Sequence, residues 1–221
     1  MKAARPGVAS LAREIAGRLS SQPRAAVPAL RALRRGYSRL LRDEAPRRVL
    51  DLALRLSRGH RFVAYELVLH HPTAPLGLDA RQVEALGRGI ASWDAVDCFA
   101  VYIAGPAWRR RLVPDSLIHG WARSPDRWWR RASLVSTVAL NSRARGGAGD
   151  PGRTLRLCRL LRRDRDPMVV KALSWSLREL AKRDPAAVRR FLSTQDGALH
   201  ALVRREVGNK LRTGLKNPRP A

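Results

Sequence analysis

Cysteine is scarce. Cys98 and Cys158 are the only two in 221 residues, which excludes a disulfide framework and leaves no paired zinc-ligand spacing. Histidine offers no metal motif either: the five are scattered, and the one adjacent pair, His70-His71, runs straight into Pro72. Long apolar runs are missing because charged residues interrupt every candidate, so no membrane-spanning helix is expected. Near the start, Arg13 and Glu14 break what would be the apolar stretch of a signal peptide, and an amphipathic helix is expected there instead. A soluble, cytoplasmic protein follows as the expectation. Sustained alternation of apolar and polar residues, the mark of a half-buried strand, is absent throughout. Acid is also in short supply, with 18 Asp and Glu against 44 Lys and Arg, for a net charge of +26. Such an excess makes a polyanion the expected partner, because neutralising phosphates releases condensed counterions. An anionic membrane surface is the competing partner. A compositional taste for Arg explains Arg in place of Lys, but not the excess over acid.

What is present is helical. With 45% hydrophobic residues the chain can bury a substantial core, and apolar positions recur at helical spacing. The pattern predicts helices over roughly 8–20, 27–42, 45–58, 60–70, 79–91, 93–104, 114–123, 126–143, 153–163, 167–183, 186–194 and 198–213. Pro23, Pro72, Gly105-Pro106, Pro114, Pro125 and Asp184-Pro185 act as stops. The stretch Ser142 to Gly152, with Gly146, Gly147, Gly149 and Pro151, reads as a flexible loop. Residues 1–214 are expected to form one all-α domain, and 215–221 a loose basic tail.

A faint repeat runs through the second half. Asp126-Arg-Trp-Trp-Arg-Arg131-Ala132 aligns with Asp166-Pro-Met-Val-Val-Lys171-Ala172 at an offset of 40 residues. In each, an acidic residue is placed to cap a helix, a basic residue follows five positions on, and a small Ala permits close packing. Helix pairs with a period near 40 are the mark of HEAT-like repeats, which stack into a curved solenoid. If the alignment holds, Arg131 and Lys171 project from one side and line a concave basic groove. An irregular helical bundle is the alternative.

Two tryptophans stand beside chemistry-bearing residues. In Ser92-Trp93-Asp94-Ala95-Val96-Asp97, Trp93 and Asp97 lie one helical turn apart on one face. Lys171, Trp175 and Arg178, spaced i, i+4 and i+7, form another stripe.

These segments, with Trp128-Trp129-Arg130-Arg131-Ala132 between them, resemble the three motifs of the AlkD-type DNA alkylation-repair glycosylases, in the same order. Ala26-Val27-Pro28-Ala29-Leu30-Arg31 is similar to the start of that family's N-terminal helices, and the resemblance spans about 25 to 212. It implies a HEAT-like fold and excision of positively charged N-alkylated purines, of the 3-methyladenine and 7-methylguanine type, from double-stranded DNA without extruding the base. It further implies that Asp97 is the catalytic carboxylate, that Trp93 and Trp175 pack against the lesion's deoxyribose and backbone, and that Arg131 holds phosphates. Lys171 and Arg178 join Arg131 as expected DNA contacts. Where family members often carry a second Trp just before the first motif's indole, this chain has Ser92, and its N-terminal third matches less well.

The chemistry suits these residue types. Alkylation of a ring nitrogen makes the purine cationic, so it leaves neutral and needs no general acid. An oxocarbenium cation develops on the sugar, and a carboxylate near C1′ steadies it and orients water. No cofactor and no metal are required, a monomer suffices, and surrounding Arg residues are expected to depress the Asp97 pKa. Blander readings stand beside these. Asp97 could be a helix-start charge, although Asp94 fits that role better. Trp175 could be core, as could Trp108 and at least one of Trp128 and Trp129. Arg162-Arg163-Asp164-Arg165 reads as a solvated loop. The runner-up function is a non-catalytic binder of damaged or branched DNA on the same fold, and a third is a scaffold for an acidic protein.

Overall fold

The computed structural model describes residues 6–21 and 26–218, which are helical and contain no strand. Pro23 and the last three residues of the basic tail lie outside this range. The helices gather into two compact units, Met1–Gly89 and Ile90–Ala221, within the span read from the sequence as one domain.

The first unit holds α1 (Val8–Ser20), α2 (Val27–Leu41), α3 (Pro46–Leu56), α4 (Arg61–Leu69), a 3-10 turn at Ala74–Gly77 and α5 (Ala80–Gly87). Proline sits in the first turn of α2 and α3, where its missing N–H costs no hydrogen bond. Asp79 and Gln82 cap α5 reciprocally. Ile15, Val49, Leu50, Leu52, Val63 and Val68 close the core. The basic face of α2 is tied down by Glu66, buried on α4, which accepts from Arg31 Nε at 3.0 Å and Arg34 Nε at 3.1 Å. His71 is fully engaged: its Nε2 donates to the Leu41 carbonyl, and its Nδ1 accepts from the backbone of Thr73 and Ala74.

The second unit begins with α6 (Trp93–Phe99), which passes through a π-helical segment, Ala100–Ala104, into α7 (Gly105–Arg109). The stop expected at Gly105-Pro106 is therefore not a stop. Proline removes one donor, and the chain absorbs the loss by widening a turn, with Gly105 N–H reaching Ala100 O. Gly105 is required here. A Cβ would lie 2.6 Å from the Ser136 carbonyl oxygen and 2.7 Å from that of Ala100. Gly105→Ala is expected to destabilise the protein by about 1–3 kcal/mol, measurable as a lower denaturant midpoint at an unchanged slope.

There follow α8 (Asp115–Trp121), α9 (Arg127–Ser136), α10 (Val138–Asn141), α11 (Pro151–Leu161), α12 (Pro167–Ala181), α13 (Pro185–Gln195) and α14 (Ala201–Thr213). The 40-residue repeat is visible in the caps. Asp126 accepts from Trp128 N–H and Asp166 from Met168 N–H, each at 2.8 Å. Ala132 and Ala172 are both fully buried, and α9 packs on α12 through small residues, with Thr137 Oγ1 2.7 Å from Ser176 Oγ. Paired helices with recurring Asp caps and small-residue seams are the helical-repeat architecture the sequence led to. Behind α6, Phe99, Trp121 and Trp129 form a tilted aromatic cluster, with the two indole centroids 4.8 Å apart. Trp108 is also core, its Nε1 donating to Asp115.

The stretch expected as a flexible loop is pinned at several points. Arg143–Arg145 form a 3-10 turn, Gly147 N–H bonds Ser142 O, Gly149 N–H bonds Leu140 O, and Arg183 reaches the carbonyls of Asn141 and Gly147. In the tail, Lys216 pairs with Glu206 at 3.2 Å, and its carbonyl accepts from Asn209.

Candidate active site

Asp97 lies on the second turn of α6, against α9. Arg131 meets it with a two-pronged guanidinium: Nε donates to Oδ1 at 2.9 Å and Nη2 to Oδ2 at 2.8 Å. The remaining arm, Nη1, donates to the Met168 carbonyl in the first turn of α12 at 2.6 Å. One side chain thus fastens three helices at the carboxylate. The side chains are 7% (Arg131) and 19% (Asp97) exposed, so the carboxylate keeps a narrow opening while its cation is buried. Bidentate geometry of this kind fixes orientation as well as charge.

The electrostatic balance differs from the expected one. Burial raises the Asp97 carboxyl above its ordinary value; Arg131 opposes this through its hydrogen bonds and charge, and Asp94, one turn earlier, adds a smaller upward push. The anticipated depression by arginine fails because desolvation outweighs the Arg131 guanidinium that pairs with the carboxylate.

Asp97 opens on a cleft of about 270 Å³ that it shares with Trp175 and Glu179 of α12, Val101 and Tyr102 of the π segment, and Arg145 of the 3-10 turn. Trp175, half-buried, lines the same cleft as Asp97. Trp93 does not line this cleft. It stands at the start of α6, 57% exposed and one turn before the carboxylate. Lys171 is exposed on α12, one turn before Trp175.

Two of the expected DNA contacts sit elsewhere. Arg131, foreseen as a phosphate clamp on a common face with Lys171, is buried with both faces of its fork occupied, because α6 presents a carboxylate to it. Arg178 turns towards α14, where Nε lies 3.2 Å from Ser174 Oγ and 3.8 Å from the buried Glu206.

Tyr102, Arg145 and Glu179 were not singled out from the sequence. Tyr102 is five residues from Asp97, off its face in an α-helix, and the widened π turn brings both to one cleft. The Arg145 guanidinium lies 4.9 Å from its ring centroid. Glu179 carried a readable signal, standing one turn beyond Trp175 on α12.

Fold and site together define a basic helical-repeat protein with an arginine-pinned carboxylate opening on a cleft beside a tryptophan. The chain belongs to the family of DNA alkylation repair enzymes, whose sequence profile matches residues 25–211. It matches none of the curated proteins and none of the solved structures with which it was compared. Repair of alkylated DNA is thus the function its family assigns. Among the described residues no helix is long and apolar enough to cross a membrane.

Proposed function

We propose that the protein is an N-alkylpurine DNA glycosylase that hydrolyses the bond between deoxyribose and a cationic purine such as 3-methyladenine or 7-methylguanine. The observation that carries this reading is the shared cleft of Asp97 and Trp175, with the carboxylate held rigid by Arg131. A fixed negative charge at a partly buried opening is what a developing oxocarbenium ion needs, and it costs no reorganisation when the bond breaks. The indole of Trp175 offers an apolar, electron-rich wall to the sugar and the cationic base. Trp93, exposed beside the cleft, packs on the backbone flanking the lesion, and Lys171 is the exposed cation that meets a phosphate. A cleft of about 270 Å³ serves a sugar-sized group, in keeping with excision while the base stays in the duplex. The reaction calls for no cofactor and no metal, a monomer suffices, and the expected location is the cytoplasm, on chromosomal DNA.

The direct test is release of methylated purine from a methylated duplex by the full chain. The Asp97–Arg131 pair also favours a second reading, in which it is only a structural tie and the protein binds damaged or branched DNA without excision. Duplex binding with no base release decides for that alternative.

The working form of Asp97 is ionised. Because its pKa is raised above 3.8, the carboxyl is still partly protonated at a pH where an ordinary Asp is charged. Activity should therefore fall, as pH drops, with a midpoint above 3.8. Single-turnover rates across acidic pH, corrected for spontaneous depurination, give that midpoint; one at or below the ordinary value contradicts the assignment.

A further inference from the structure

A second acidic residue lines the cleft. Glu179 is only 9% exposed and lines the same opening as Asp97 and Trp175, while Lys182 Nζ engages its Oε1 at 2.6 Å. Each of the two carboxylates is met by its own cation, Arg131 for Asp97 and Lys182 for Glu179. Asp97 comes from α6 and Glu179 from α12, so the fold brings two ion-paired acidic residues from separate helices to one cleft.

The two are dressed differently. Both Asp97 oxygens are claimed by the Arg131 fork, so taking up a proton there means giving up a bidentate ion pair. The Lys182 contact is to one oxygen of Glu179. Hydrolysis needs two services from the protein: a charge that steadies the sugar cation, and a group that holds the water and receives its proton. Asp97 is built for the first and Glu179 for the second, a division of labour between paired carboxylates that also underlies hydrolysis of glycosidic bonds in sugars.

Resting on the glycosylase reading, we infer that Glu179 is the general base. In the step, the C1′–N9 bond breaks with its electron pair leaving on the purine, which becomes neutral. A water lone pair forms the new C1′–O bond, and the proton lost by that water moves to the Glu179 carboxylate, which later returns it to solvent. Asp97 keeps its charge throughout.

The experiment measures single-turnover release of 7-methylguanine from a methylated duplex by wild type, Glu179→Gln and Asp97→Asn, with and without azide. Azide is an anionic nucleophile that adds at C1′ without shedding a proton. Glu179→Gln is expected to slow release by about 100-fold or more with duplex affinity and thermal transition preserved, and azide should restore much of the rate while leaving an azido-sugar detectable by mass. Azide should not rescue Asp97→Asn. Should Glu179→Gln fail to fold, Glu179→Asp, which keeps the charge but draws it back by one methylene, carries the test through the same loss and rescue. A wild-type rate in Glu179→Gln, or a loss that azide does not relieve in a folded variant, overturns the assignment and leaves the glycosylase reading standing. No base release by wild type itself sinks the glycosylase reading instead.

Discussion

Asp97→Asn is expected to lower base release by at least about 100–1000-fold, the range associated with losing one preorganised electrostatic group, and to leave duplex affinity within a few-fold of wild type. Asn has nearly the shape of Asp, so what disappears is the charge. Affinity should survive because the chain's net charge of +26 supplies phosphate binding from many exposed side chains, and one internal carboxylate contributes little to that sum. Stability moves separately. The amide presents one acceptor and one donor to a fork that has only donors, so one Arg131 nitrogen loses its partner and the buried guanidinium loses its counter-charge. Substrate-free melting should therefore show a loss alongside the kinetic one. Rates must be taken at a temperature where the variant is folded, with binding curves as the control. Wild-type excision by folded Asp97→Asn would remove the carboxylate from the mechanism.

Parts of this site can be seen in the linear chain and parts cannot, for definable reasons. The pairing of Asp97 with Trp175 follows from motifs on two helices, of which α12 has its start marked by an Asp cap and Pro while α6 follows Ser92 without a side-chain cap. Local spacing is enough to place each residue on a face. Tyr102 escapes because its meeting with Asp97 depends on a π turn, and the Gly105-Pro106 pair beside that turn reads as a break rather than a detour. Arg131 escapes for a different reason. Its equivalence to Lys171 in the repeat is real at the level of the helix, yet burial is decided by the neighbouring element, and α6 brings a carboxylate to one of them only. On α12, Arg178 and Glu179 flank Trp175 on opposite sides of a 3.6-residue turn. Periodicity allows either to join the stripe; the packing of α14 draws Arg178 away and leaves Glu179 to the cleft. Desolvation of Asp97 is likewise a property of the packed unit, which is why composition pointed to a lowered pKa and the fold to a raised one.

Arg131→Ala is expected to cost both function and stability, and the pattern of rescue separates the two. Truncation leaves the partly buried Asp97 carboxylate without its cation and takes a donor from the Met168 carbonyl. Breaking a buried pair from one side typically costs about 3–5 kcal/mol; the lower end applies here because Asp97 retains 19% exposure. Arg131 is also the group that opposes the effect of burial on the carboxyl. Without it the Asp97 pKa climbs further, and the acid limb of activity should move to higher pH than in wild type. Arg131→Lys restores a positive charge but not the fork, since one ammonium cannot hold both Oδ atoms and the Met168 carbonyl in fixed geometry. It should recover part of the melting temperature and little of the rate. The paired replacement Asp97→Leu with Arg131→Met removes both charges together, and apolar substitutes for a buried ion pair are often neutral in stability. That variant should melt above Arg131→Ala and release no base. If instead Arg131→Lys excises at the wild-type rate, orientation of the carboxylate is not what the arginine supplies, and its part in the site reduces to charge alone.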